Sequence, residues 1–146
     1  MYSKDKTINE IRKFNRFYLV NMDFLNSNYW GSGYSIAETR ILFEIMTRGI
    51  CIQNDIVKAL HIDKSYLSRI IDRLCKKGII EKKSSKHDKR AVEIMLTDQG
   101  KVESEKLIAL TNKRIESQIA GLSSDDCDKL CDALCSVMKI LEKEDI

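Results

Sequence analysis

The chain has no proline, only six glycines and a single tryptophan. Without proline no residue is barred from donating a backbone hydrogen bond, so long helices can run without an enforced kink. No glycine-rich phosphate loop is present, which argues against the common nucleotide-binding enzymes. Histidine is scarce: His61 and His87 are the only two. Neither stands at metal-ligand spacing from cysteines or acids, and no nucleophile–base set is visible. We therefore expect no enzyme, no cofactor and no metal. No apolar run approaches the ~20 residues of a membrane span. The start, Met1-Tyr-Ser-Lys-Asp-Lys6, is charged and leads into an amphipathic pattern, unlike a signal peptide. A cytoplasmic protein without a membrane partner is expected. Five cysteines, an odd number, are scattered as Cys51, Cys75, Cys127, Cys131 and Cys135. That is no disulfide framework, and a reducing compartment suits it.

The net charge of +3 is uninformative as a total, but its distribution is not. Ten Lys/Arg and three acids fall between Lys64 and Arg90, giving this stretch +7 and leaving −4 for the remainder. A basic segment on an otherwise acidic chain has the form of a polyanion-binding surface. The plainer alternative is a solvated charged face.

Ile8, Ile11, Phe14, Tyr18, Met22 and Leu25 recur at spacings of three and four. They predict a helix from about Lys6 to Ser27. Asn26 to Gly33 is rich in turn formers. Ser35 and Glu38 have capping-box spacing and open a second helix that Gly49 ends. Two short helices follow. One runs from Ile52 to Leu60 with Ile56, Val57 and Leu60 inward. After the turn His61-Ile62-Asp63, the other carries Leu67, Ile70, Ile71 and Leu74 inward. Asp63 is a favourable N-cap, and Lys76-Lys77-Gly78 a favourable C-terminus. Ile79–Lys83 and Ala91–Leu96 read as strands, the second placing Val92, Ile94 and Leu96 on one face. The polar, basic stretch Ser84–Arg90 between them is a hairpin tip. Thr97 caps a long helix ending near Ala120, and Ser123 opens a last one to about Lys143.

Two short helices, a three-residue turn and a basic hairpin make a winged helix-turn-helix arrangement, in which the second helix enters the major groove. Its base-reading residues would be Lys64, Ser65, Tyr66, Ser68 and Arg69, and Arg69 has the fork geometry for guanine. Arg73, Lys76 and Lys77 are placed for phosphate, and Gln53 sits at a helix start where N–H groups point at an anion. In the hairpin, Lys86, His87, Lys89 and Arg90 concentrate cations suited to a narrow minor groove. Asp88, an acid beside them, can hold the Arg90 guanidinium in a fixed pose.

The segment Asp63-Lys-Ser-Tyr-Leu-Ser-Arg-Ile-Ile-Asp-Arg-Leu-Cys-Lys-Lys-Gly-Ile-Ile80 resembles the MarR family of bacterial transcription regulators. So do Asp88-Lys-Arg90 and Leu96-Thr-Asp-Gln-Gly-Lys101, and Tyr34–Leu42 is similar to that family's second helix. The resemblance implies a mostly α fold with a small β-hairpin wing, and a winged helix-turn-helix domain over residues 34–97. A helical dimerisation platform would then comprise residues 1–33 and 98–146. It further implies a homodimer on double-stranded DNA with a palindromic operator, commonly a repressor released by a small aromatic or anionic effector. Some members are released by cysteine oxidation instead.

Three features remain open in the sequence. Arg16, Tyr18, Met22, Trp30 and Tyr34 could line an effector pocket or be ordinary core and loop anchors. Cys127, Cys131 and Cys135 recur every four residues on one helical face. They share that face with Leu130, Leu134, Val137, Met138 and Leu141, so interface packing competes with a metal or thiol site. Cys75, near the end of the recognition helix, is the other redox candidate. A winged-helix protein-interaction module is the remaining alternative. It predicts a neutral or apolar outer face on the Ser65–Lys76 helix, where this sequence is cationic.

Overall fold

The structure, a computed structural model, describes residues 3–21, 31–84 and 91–142. It divides into two compact units, residues 1–108 and 109–146. In the first unit α1 spans Lys4–Asn21, α2 Ile36–Arg48, β1 Ile50–Ile52, α3 Gln53–Leu60 and α4 Lys64–Lys76. The hairpin strands β2 (Ile80–Ser84) and β3 (Val92–Leu96) follow, and then α5 (Asp98–Ile119), which runs on into the second unit. That unit also holds α6 (Ser124–Glu142). The expected continuation of α1 to Ser27 and of α6 to Lys143 lies outside the described residues.

The caps form where the sequence places them. Ser35 accepts from the Glu38 N–H and Glu38 accepts from the Ser35 N–H, both at 3.1 Å. The Asp63 carboxylate accepts from the Tyr66 N–H at 2.9 Å, fixing the first turn of α4. Asp55 does a similar service one helix earlier, accepting from the Ile52 N–H at 3.0 Å. That bond places Ile52 just outside α3 rather than within it. The α4 terminus turns at Gly78, whose φ of +76° suits a residue without Cβ. Ile79 then donates back to the Leu74 carbonyl at 2.9 Å.

The sheet has three strands in the order β1-β3-β2, where the sequence indicated two. The extra strand, Ile50-Cys51-Ile52, pairs antiparallel with β3, Cys51 opposite Ile94. Three residues are too few for alternation to register, and β1 exists because β3 has a free edge for it to satisfy. On β3, Ile94 and Leu96 are buried as expected, whereas Val92, towards the hairpin tip, is 45% exposed. Val57 and Leu60 are only partly buried and pack on the edge of the core.

The core runs from Ile41 to Leu107 and contains Ile41, Leu42 and Ile45 of α2, Ile56 of α3, and Leu67, Ile70, Ile71 and Leu74 of α4. Ile79, Ile80, Ile94 and Leu96 close it from the sheet. Thr97 fastens α5 to it, accepting from the Gly100 N–H at 2.9 Å while donating to the Gly78 carbonyl. Gly100 lies so close to Ile79 that a Cβ would stand 2.1 Å from the Ile79 carbonyl oxygen. By contrast, α1 and α6 bury none of their described residues.

Candidate nucleic-acid interface

The α4 helix is divided along its length. Leu67, Ile70, Ile71 and Leu74 are fully buried, anchoring one side to the core. On the other side Lys64, Ser65, Tyr66, Arg69, Arg73 and Lys76 are exposed. Tyr66, Arg69, Asp72, Arg73 and Lys76 together line a shallow groove. No ion pair among the described residues engages Lys64, Arg69, Arg73 or Lys76. A helix anchored by its inner face, with cations outside any ion pair on its outer face, is what a polyanion contact requires.

Other residues marked in the sequence are differently placed. Ser68 is half-buried, and its hydroxyl donates to Gln53 Oε1 at 2.9 Å. That bond joins α3 to α4 across the turn. Lys82, on β2, is paired with Asp72. The Lys82 hydrogen bond and charge hold the Asp72 carboxyl below the usual carboxylate range. Lys83 lies 3.8 Å from Glu81. Lys77 is turned away from the groove, its Nζ 5.7 Å from the centre of the Tyr34 ring. Lys86, His87, Asp88, Lys89 and Arg90 lie outside the described residues, between Ser84 and Ala91.

Among the possible effector residues, Arg16 is exposed on α1, and Tyr18 stacks on Phe14 with ring centres 5.6 Å apart. Met22 and Trp30 lie outside the described residues. Tyr34 is half-buried, with its hydroxyl 3.5 Å from Glu103 Oε2. Burial first, and the Glu103 charge second, push its pKa up, so it remains a neutral donor. Glu103 and Lys77 are thus neighbours that the sequence could not supply. They come from different helices and carry no spacing signal.

Burial pushes the Cys51 and Cys75 thiols up, away from the thiolate form. Cys131 and Cys135 are exposed on α6 and Cys127 is half-buried. Among the described residues no helix is long and apolar enough to cross a membrane.

A three-helix lobe with α4 presented outward, flanked by the antiparallel strand pair β2 and β3, defines a winged helix-turn-helix protein. Comparison with known proteins narrows this class. The MarR family profile matches residues 34–92. The multiple antibiotic resistance protein MarR of Salmonella typhimurium is 34% identical over 104 residues, spanning 68% of this chain and 72% of that protein. Among solved structures, an E. coli MarR variant complexed with operator DNA superposes with a TM-score of 0.74 at 23% identity. That match covers 94% of this chain and 99% of the other. BpsR of Bordetella bronchiseptica, whose DNA binding is regulated by 6-hydroxynicotinic acid, gives 0.72 at 21% identity. Coverage there is 89% of this chain and 98% of BpsR. The chain belongs to the MarR family. It is a DNA-binding transcription regulator and not an enzyme.

Proposed function

We propose that this regulator is a ligand-responsive repressor that acts as a homodimer on a short palindromic operator. The observation that carries the DNA-reading half is the divided α4 helix. Its inner residues are locked in the core, and its outer Lys64, Ser65, Tyr66, Arg69, Arg73 and Lys76 are free to meet a duplex. In this reading Arg69 contacts a guanine edge, with Lys64, Ser65 and Tyr66 beside it. Arg73 and Lys76 take phosphates. Ser68 and Gln53, bonded to each other, set the angle between α3 and α4 and reach DNA only at their edges. The wing residues Lys86, His87, Lys89 and Arg90, with Asp88 orienting the arginine, enter the adjacent minor groove.

The homodimer rests on the apolar faces of α1 and α6. Phe14, Phe17 and Val20 on α1, and Leu134, Val137, Met138 and Leu141 on α6, are between 44% and 66% exposed in the single chain. Contiguous faces of that kind are covered in a working protein, and a second copy covers both. Residues 1–33 and 98–146 form the platform and residues 34–97 read the DNA. Two equivalent α4 helices then face two half-sites, which makes the operator palindromic.

For the switch, a small aromatic or anionic effector lodged among Arg16, Tyr18, Met22, Trp30 and Tyr34 is favoured over thiol oxidation. Cys75, the thiol on the recognition helix, is half-buried, and that burial raises its pKa and disfavours the reactive thiolate. The α6 thiols, two of them exposed and Cys127 half-buried in the single chain, sit on the face assigned to the second copy. An effector acts by preferring the lobe spacing that misfits the operator, and its reach is set by that preference. The competing redox reading makes the opposite prediction: mild peroxide releases DNA and aromatic acids do not.

Selection of bound sequences from random duplexes tests the whole reading. An A·T-rich palindrome is expected. Arg69→Ala should then relax preference at one position per half-site, at about 1–3 kcal/mol. A uniform loss over all sequences would make Arg69 a phosphate contact and remove the base-reading assignment.

A further inference from the structure

Asp72 is out of place. It lines the same groove as Tyr66, Arg69, Arg73 and Lys76, where an acid opposes the approach of phosphate. Its side chain is 59% exposed, so no burial explains it. Its partner, Lys82, comes not from α4 but from the middle of β2, ten residues on. Lys82 shares a face of that strand with buried Ile80, and lies opposite Ile94 in the hairpin register. The strand continues to Ser84, and the basic sequence Lys86–Arg90 follows it in the chain. The pair is therefore a side-chain bridge from the outer face of the recognition helix to the strand that leads into the wing.

We infer that the Asp72–Lys82 ion pair is a positioning device. It sets the wing relative to the recognition helix so that both meet adjacent grooves of one duplex at once. The inference rests on the DNA-reading assignment above. Two contacts joined at a fixed separation bind better than the same contacts loosely tethered, because the ordering cost is met before DNA arrives. The pair sacrifices one cation and keeps one anion at the interface. This arrangement benefits binding only through geometry, and that makes the sign of a mutation decisive. If charge alone mattered, Asp72→Asn would tighten binding by removing a repulsion. If positioning matters, it weakens binding.

The test is operator affinity, measured at several salt concentrations, for wild type, Asp72→Asn, Lys82→Met and the exchange Asp72→Lys/Lys82→Asp. Asp72→Asn should weaken binding roughly two- to fivefold. Lys82→Met should do the same with the salt slope unchanged, since a lysine held by Asp72 displaces no counterion. The exchange should recover most of the loss. Arg90→Ala should cost less in the Asp72→Asn background than in wild type, because a displaced wing has less to lose. Both side chains lie outside the core, and thermal melting verifies that each variant is folded. Equal or tighter binding by Asp72→Asn overturns the proposal. So does a Lys82→Met salt slope shallower by about 0.9, which marks a direct phosphate contact. A wild type that selects no sequence at all overturns the DNA-reading assignment as well, so the two failures are distinguishable.

Discussion

The lobe from Ile36 to Leu96 and the helices α1 and α6 are both rich in apolar residues, yet they dispose of them in opposite ways. In the lobe every large aliphatic on the inner side of α4 is fully buried, and the sheet closes over them. On α1 and α6 no described residue is buried, although Ile11, Phe14, Leu134 and Leu141 repeat at the same helical spacings. Amphipathic periodicity alone therefore says that a helix has something to cover and not what covers it. The lobe supplies its own cover, because three helices and three strands fold back on one another within some sixty residues. The described residues of α1 and of α6 each carry an apolar stripe of which none is buried, which is the physical argument for a second copy.

The sharpest way to break the contrast is Leu134→Asp. A charge in the α6 stripe should abolish the dimer and with it specific binding to the operator. The lobe should stay folded, and the melting temperature should lose its dependence on protein concentration. Sedimentation and melting series check both. A wild type that stays monomeric at micromolar concentration removes the dimer from the account.

Next in size is Ile71→Ala within the lobe. Ile71 is fully buried, so the truncation should cost about 2–5 kcal/mol in chemical denaturation. That loss should appear at every protein concentration, unlike the effect of Leu134→Asp.

Gly100→Ala probes how α5 is fastened to the lobe. Alanine in a helix is ordinarily better than glycine by about 1 kcal/mol. Here the new methyl meets the Ile79 carbonyl, and the balance should reverse to a loss of about 1–3 kcal/mol. A variant more stable than wild type in denaturant would mean that α5 sits further from Ile79 than the structure has it.

The smallest effect concerns Ser104, fully buried on α5 with a hydroxyl that finds no partner among the described residues. Ser104→Ala removes a polar group left unpaired and should stabilise the protein by up to about 1 kcal/mol. A clear loss of stability in calorimetry would show that the hydroxyl is satisfied in solution.

Much of the fold could be read directly from residue order. Ser35 with Glu38, Asp63, Gly49 and Gly78 mark helix ends because a cap is a local transaction, completed within three or four residues. The inner face of α4 is legible for the same reason: Leu67, Ile70, Ile71 and Leu74 follow the helical period without interruption. The basic stretch from Lys64 to Arg90, the turn before it and the hairpin within it point together to a DNA-reading winged helix.

What the sequence determined by itself was thus the helix caps and the inner face of α4, features governed by short-range capping and periodicity, whereas Val92 follows the strand period and is still exposed. The tertiary structure alone decided the rest. It created β1, because a three-residue strand is specified by the open edge of β3 and not by its own pattern. It took Ser68 out of the outward row by bonding it to Gln53, and it turned Lys77 towards Tyr34. It set Asp72 against Lys82, two residues whose pairing depends on how the β-hairpin lies on α4. Each of these joins elements that are separate in the chain, and periodicity carries no information about which side chains the fold brings within hydrogen-bonding reach.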